Sequence, residues 1–191
     1  GKMKKIIILL LLLLFVFSLS AVTVVEDRIG LISESEKEYV KSKLDKASLE
    51  SGLSLGVLIT NGTDGKSDAV FADDYYDSVI NDDDGVLLFL NYGERSVYIS
   101  TTGYGMYAVD DSGEEVVFDA MMPHLQRGEW AEAFSIFASS VLELSKDYPY
   151  SAYENTTYDI NTGRFEEGKS KEKRFDWALV VISFLLPAVP A

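Results

Sequence analysis

The chain has 191 residues, with 17 Lys and Arg against 31 Asp and Glu, one His, no Cys and a formal charge of −14. That acidity excludes non-specific nucleic-acid binding, which needs clustered bases to neutralise phosphates. The missing cysteines exclude disulfide scaffolds, thiol catalysis and a lipidated signal cysteine, and a single His leaves no zinc site built on two imidazoles.

The chain opens as an export signal over residues 3–21: Met3-Lys4-Lys5, an apolar run from Ile6 to Phe17, then Ser18-Leu19-Ser20-Ala21. The alternative is an uncleaved membrane anchor, although the run is of signal length rather than the roughly 20 residues of a full span. Either reading places the following domain on the extracytoplasmic side. Ser33-Glu34-Ser35-Glu36 fits a capping box and predicts a helix to about Ser51, with Val40, Leu44 and Ala47 on its inner stripe and Gly52 as its end. Residues 55–60 form a short apolar run and predict a buried strand. A helix is expected over residues 68–80, turning Ala72, Tyr75, Tyr76 and Val79 inward and Asp73 and Asp77 outward.

The continuous apolar run at residues 86–90 predicts a strand covered on both faces. Asn91-Tyr92-Gly93-Glu94 is hairpin chemistry, so residues 95–100 return antiparallel. Residues 101–105 read as a glycine-rich loop. Helices over 114–125 and 129–146 follow, broken near Pro123 and Gly128. The order αβαββαα predicts a three-layer α/β/α sandwich around a small mixed sheet within residues 22–158. Residues 159–175 mix five bases with acids and glycines and read as a polar linker. The segment 176–191, uncharged and apolar from Trp177 onward, reads as the first part of a transmembrane helix; a buried C-terminal strand or helix is the alternative. Without the ends, residues 26–159 hold 9 bases against 27 acids, a net charge of −18.

Residues 64–84 contain eight aspartates and one base, Lys66. Asp64 and Asp68 read as a solvated face. Asp77 belongs to the last turn of its helix and Asp82, Asp83 and Asp84 follow its end, where the negative pole of the helix dipole disfavours carboxylates and a bound cation would reverse the sign. The hairpin topology brings the start of one strand and the end of its partner to one sheet edge, so Asp82, Asp83 and Asp84 should share that edge with Asp110 and Asp111. Hard oxygen donors suit Ca²⁺ or Mg²⁺ rather than Zn²⁺, and the spacing is not that of an EF-hand. Plain acidic loops are the competing reading. Gly103-Tyr104-Gly105 is a weak anion cradle, His124 reads as a packing residue, and no triad or Gly-x-Ser-x-Gly motif supports hydrolysis, so no catalytic residue is assigned.

Five short motifs in order resemble the TPM-domain family over about residues 22–146. They are Val25-Glu26-Asp27 with Gly30-Leu31-Ile32-Ser33, then Phe71-Ala72-Asp73-Asp74-Tyr75-Tyr76-Asp77, Asp84-Gly85-Val86-Leu87-Leu88, Thr102-Gly103-Tyr104-Gly105, and the turn Asp110-Asp111. The resemblance implies an exported α/β/α domain with a signal and a C-terminal membrane span. It also implies Ca²⁺ binding in acidic loops, which would fall at Asp73, Asp77, Asp82, Asp83, Asp84, Asp110 and Asp111, and, by likeness to thylakoid members linked to photosystem II repair, phosphatase activity. Two functions follow as expectations: a membrane-tethered, extracytoplasmic cation-binding module working with envelope partners, or a metal-dependent phosphatase. A scaffold without metal is the third.

Overall fold

The computed structural model describes residues 21–159 and 162–167. The expected signal, apart from Ala21, and residues 168–191, with the expected membrane segment, lie outside the described residues. Among those described, no helix is long and apolar enough to cross a membrane. The chain divides into two units, residues 1–150 and 151–191.

In the first unit, β1 (Thr23–Asp27), β2 (Ser54–Thr60), β3 (Gly85–Asn91) and β4 (Ser96–Thr102) form one sheet in the order β1-β2-β3-β4. β1, β2 and β3 are parallel and β4 returns antiparallel to β3. All seven residues of β2 and all seven of β3 are buried, which is why both read as continuous apolar runs. The helices are α1 (Glu34–Ser51), α2 (Asp68–Tyr75), α3 (Tyr104–Ala108), α4 (Asp111–Arg127) and α5 (Trp130–Asp147). Ser33 and Glu36 close the expected capping box, and Gly52 ends α1 at φ +78°, donating its N–H to Ser48 O.

The layers follow from strand alternation. Val24, Leu58, Leu87 and Phe89 pack on one face against Ala72, Tyr75, Tyr76 and Ile80 of α2 and the turn after it. Thr23, which must point to the opposite face from Val24, bonds Lys41 and Asp45 of α1. α5 packs beside α1, and α4 on α5, with Phe134 and Phe137 fully buried. The mixed-sheet α/β/α sandwich is therefore present. Both parallel crossovers step the same way across the sheet while their helices cover opposite faces, so one of the two is left-handed, against the usual preference.

Four local expectations are corrected. β1 is missing from the expected order because its five residues are all half-buried and only two are valines. The helix expected over 68–80 is α-helical only to Tyr75; a π-turn, Tyr76–Ile80, completes it, closed by Asn81 N–H to Tyr76 O at 2.8 Å. The loop expected at 101–105 is the end of β4 followed by α3. Pro123 does not break its helix, since α4 runs through it to Arg127 and stops at Gly128 in the left-handed region, φ +72°. Pro123 is exposed, so water can serve the carbonyl that loses its donor.

A short helix, α6 (Tyr150–Tyr153), lies at the division. In the second unit β5 (Thr156–Asp159) pairs antiparallel with β6 (Arg164–Glu167), and Phe165 stacks with Tyr158 at 5.1 Å and Tyr153 at 5.7 Å. Residues 164–167, expected as linker, are thus strand.

Candidate functional site

The acidic turn at residues 82–84 is built by the π-turn before it and by α3 behind it. The extra residue of the π-turn carries Tyr76 under the start of β3, where its hydroxyl donates to Asp82 O at 3.1 Å. Gly85 is required there, because a Cβ would collide with the Tyr76 hydroxyl and Ser54 O. Ser54 Oγ donates to Asp82 Oδ2 at 2.5 Å and Ser54 N–H to Asp84 O at 3.0 Å, tying the turn to β2. From the other side Tyr104 N–H donates to Asp84 Oδ1 at 2.6 Å and Thr102 Oγ1 to Asp83 O at 3.3 Å. Gly103 makes this approach possible at φ +52°: any Cβ there would overlap the Asp83 carbonyl and the Asp84 carboxylate. The amide expected to cradle an anion therefore holds one of the protein's own carboxylates.

Asp77, Asp82, Asp83 and Asp84 surround Tyr76. Burial pushes its phenol well above the usual tyrosine range, and the four negative charges push the same way. Among the described residues no salt bridge reaches any of the four, and Asp77 and Asp83, both exposed, make no hydrogen bond through their side chains. The expected convergence with Asp110 and Asp111 takes another form. Asp110 caps α4, accepting Gly113 N–H at 2.9 Å and Ser112 Oγ at 2.7 Å, while Asp111 is exposed in its first turn. These two gather with Glu114, whose carboxyl is raised by burial and then by Asp111 and Asp110. Asp73 accepts Ser100 Oγ at 2.6 Å on β4, and Tyr98 on that strand is raised by burial and by both Asp73 and Glu114. The seven residues thus form a group around Tyr76 and a group along β4. Among the described residues no three acidic or histidine side chains stand close enough to hold one ion.

Sequence reasoning missed Ser54, Tyr76, Tyr104 and Glu114. Glu114 left a signal, three residues after Asp111 in the same first turn; Tyr76 read as core, Tyr104 as part of the glycine-rich loop with its weak anion cradle, and Ser54 fell just before the expected strand. Two bland readings are also corrected. Asp68 accepts Asn91 Nδ2 at 3.0 Å and Ser96 Oγ, fastening α2 to the β3–β4 hairpin rather than facing solvent alone. His124 sits outside the core, bonded to Glu129 at 2.7 Å in a surface network with Arg127. At the opposite end of the sheet a cavity of about 500 Å³ is lined by residues 62–68, Asn91 and Glu94; its Lys66 is paired to Asp74 at 2.6 Å.

The TPM-domain family model matches residues 25–144. The chain belongs to the TPM-domain family. Its TPM domain is similar to the N-terminal domain of a protein from P. gingivalis, at 25% identity and a TM-score of 0.55 over 64% of this chain and 82% of that one. It is similar in fold to the N-terminal domain of the cg2496 protein from Corynebacterium glutamicum, at 16% identity and a TM-score of 0.54 over 66% and 81% of the two chains. No curated protein matches the chain. The TPM domain ends before the second unit, so both acidic groups lie inside it.

Proposed function

We propose that this TPM-domain protein is a membrane-tethered, extracytoplasmic module that takes up a hard divalent cation, Ca²⁺ or Mg²⁺, at its acidic sheet end and works with partners in the envelope. One observation carries the reading: Asp77, Asp82, Asp83 and Asp84 all act electrostatically on the Tyr76 phenol, and among the described residues no salt bridge neutralises any of them. Like charges gathered about one buried ring repel one another, and a bound cation would relieve that repulsion. The donor set, all oxygen, fits Ca²⁺ or Mg²⁺. Asp82 and Asp84 are already held by Ser54 and Tyr104, so Asp77 and Asp83 are the carboxylates best able to turn toward an ion, with water completing its shell. Asp73, Asp110 and Asp111, with Glu114, form a second acidic surface along β4 for the same class of ion. Support for the tether is the apolar run at residues 6–17 and the uncharged segment from Trp177.

The metal-dependent phosphatase reading ranks second: a bound cation would polarise a phosphoryl oxygen, but among the described residues no basic side chain pairs with these carboxylates to help hold the phosphate. Thermal melting of the full chain in detergent tests both readings. Ca²⁺ at a hundredfold excess over Kd should add about 2.7 kcal/mol of stability. Asp77→Asn with Asp83→Asn should abolish the gain. An unchanged melting temperature contradicts cation binding. Cation-dependent turnover of p-nitrophenyl phosphate, lost in the same double variant, would move the phosphatase to first place.

A further inference from the structure

We propose that β1 is a dimer interface, across which two copies of this chain join edge to edge into one continuous eight-stranded sheet about a two-fold axis at Val25. The inference is independent of the cation reading. Leu55 N–H donates to Val22 O and Arg28 N–H to Ile59 O, which fixes the even-numbered residues of β1 as those bonded to β2. The N–H and C=O groups of Thr23, Val25 and Asp27 therefore point away from the sheet, and no backbone or side-chain group among the described residues meets them. All five residues of β1 are half-exposed, while β4 at the other edge buries Ile99 and Ser100 at its middle and leaves its remaining five residues half-exposed. β1 carries neither a proline nor a bulge to blunt pairing.

A second copy is the occupant because the strand is complementary to itself. Antiparallel pairing about Val25 sets Val25 against Val25 and Thr23 against Asp27, so every outward residue meets an outward residue and six main-chain hydrogen bonds close across the axis. Charge agrees with this register. Lys41 Nζ already reaches Thr23 Oγ1 at 2.5 Å, and the pairing brings Asp27 of the second copy beside it. Glu26 and Asp27 face uncharged Val24 and Thr23 rather than each other. Leu49, four residues beyond Asp45 on the α1 stripe that overhangs this edge, is 87% exposed, and Val22 and Ile29 flank the strand with their side chains open.

Sedimentation velocity of the full chain in density-matched detergent tests the interface. The wild type should be dimeric, and Val25→Pro should raise the dimer dissociation constant roughly tenfold or more by deleting an outward N–H on each copy. The circular-dichroism melt should be retained, because that N–H takes no part in pairing with β2. Crosslinking decides even if the proline variant unfolds. In a chain with no native cysteine, Val25→Cys should be joined to itself by a short bis-maleimide, and Glu94→Cys, exposed at the β3–β4 hairpin two strands away from this edge, should not. A wild type that stays monomeric, a dimer that survives Val25→Pro with the fold intact, or equal crosslinking at 25 and 94 would overturn the proposal.

Discussion

Replacing Gly103 by alanine probes the contact that holds the acidic turn in place. At φ +52° and ψ −123° the residue lies where a side chain is strained by about 1–3 kcal/mol. The new methyl also meets the Asp83 carbonyl and the Asp84 carboxylate, so one of them must move. If Asp84 moves, its charge-assisted bond from Tyr104 N–H is lost, at a cost of about 1.5–3 kcal/mol. The total loss is then about 2.5–6 kcal/mol. Gly30→Ala is the control, since φ is +68° there with nothing within 4 Å of a Cβ, and strain alone costs about 1–2 kcal/mol. Urea unfolding of both variants, followed by circular dichroism, should separate them by at least about 1.5 kcal/mol. Equal losses would show that strain explains everything and that the turn is not clamped between Gly103 and Tyr104.

Glu114→Gln should raise the melting temperature near neutral pH. The native carboxyl is raised above the ordinary value of 4.5 by burial and by Asp111 and Asp110, so the folded state of the wild type loses stability as pH climbs above that value. Melts in a pH series should show the gap closing below about pH 4.5, where Glu114 is protonated in both states; a constant gap would mean that charge is not the cause. Phe134→Ala empties a fully buried site in α5 and should cost about 3–5 kcal/mol by urea unfolding, with a value under 1 kcal/mol contradicting the packing described. Ser33→Ala removes one half of the capping box and should cost about 1 kcal/mol in the same assay.

The elements that carry their own local code were legible in the sequence. α1 announces itself by Ser33, Glu36 and Gly52, and β2 and β3 by unbroken apolar runs between polar turns. β1 was hidden because an edge strand half in water has no apolar run to show. The π-turn was hidden because its cause is tertiary: Tyr76 is drawn to the sheet end by Asp82 O and by the absence of a side chain at Gly85. For the site, charge density alone pointed to residues 82–84, and the hairpin topology pointed to the edge they occupy. Topology did not resolve that Asp110 would spend its carboxylate capping α4, or that Asp73 would turn to Ser100. Those are choices among nearby hydrogen-bond donors, which residue spacing does not encode.

Calorimetric titration of the full chain with CaCl₂, in detergent, beside the Asp77→Asn, Asp83→Asn double variant, tests the central claim most directly. Binding heat in the wild type that the double variant loses while keeping its melting temperature without Ca²⁺ is the predicted result. Absence of heat in the wild type, or the same heat in both proteins, would contradict a cation site around Tyr76.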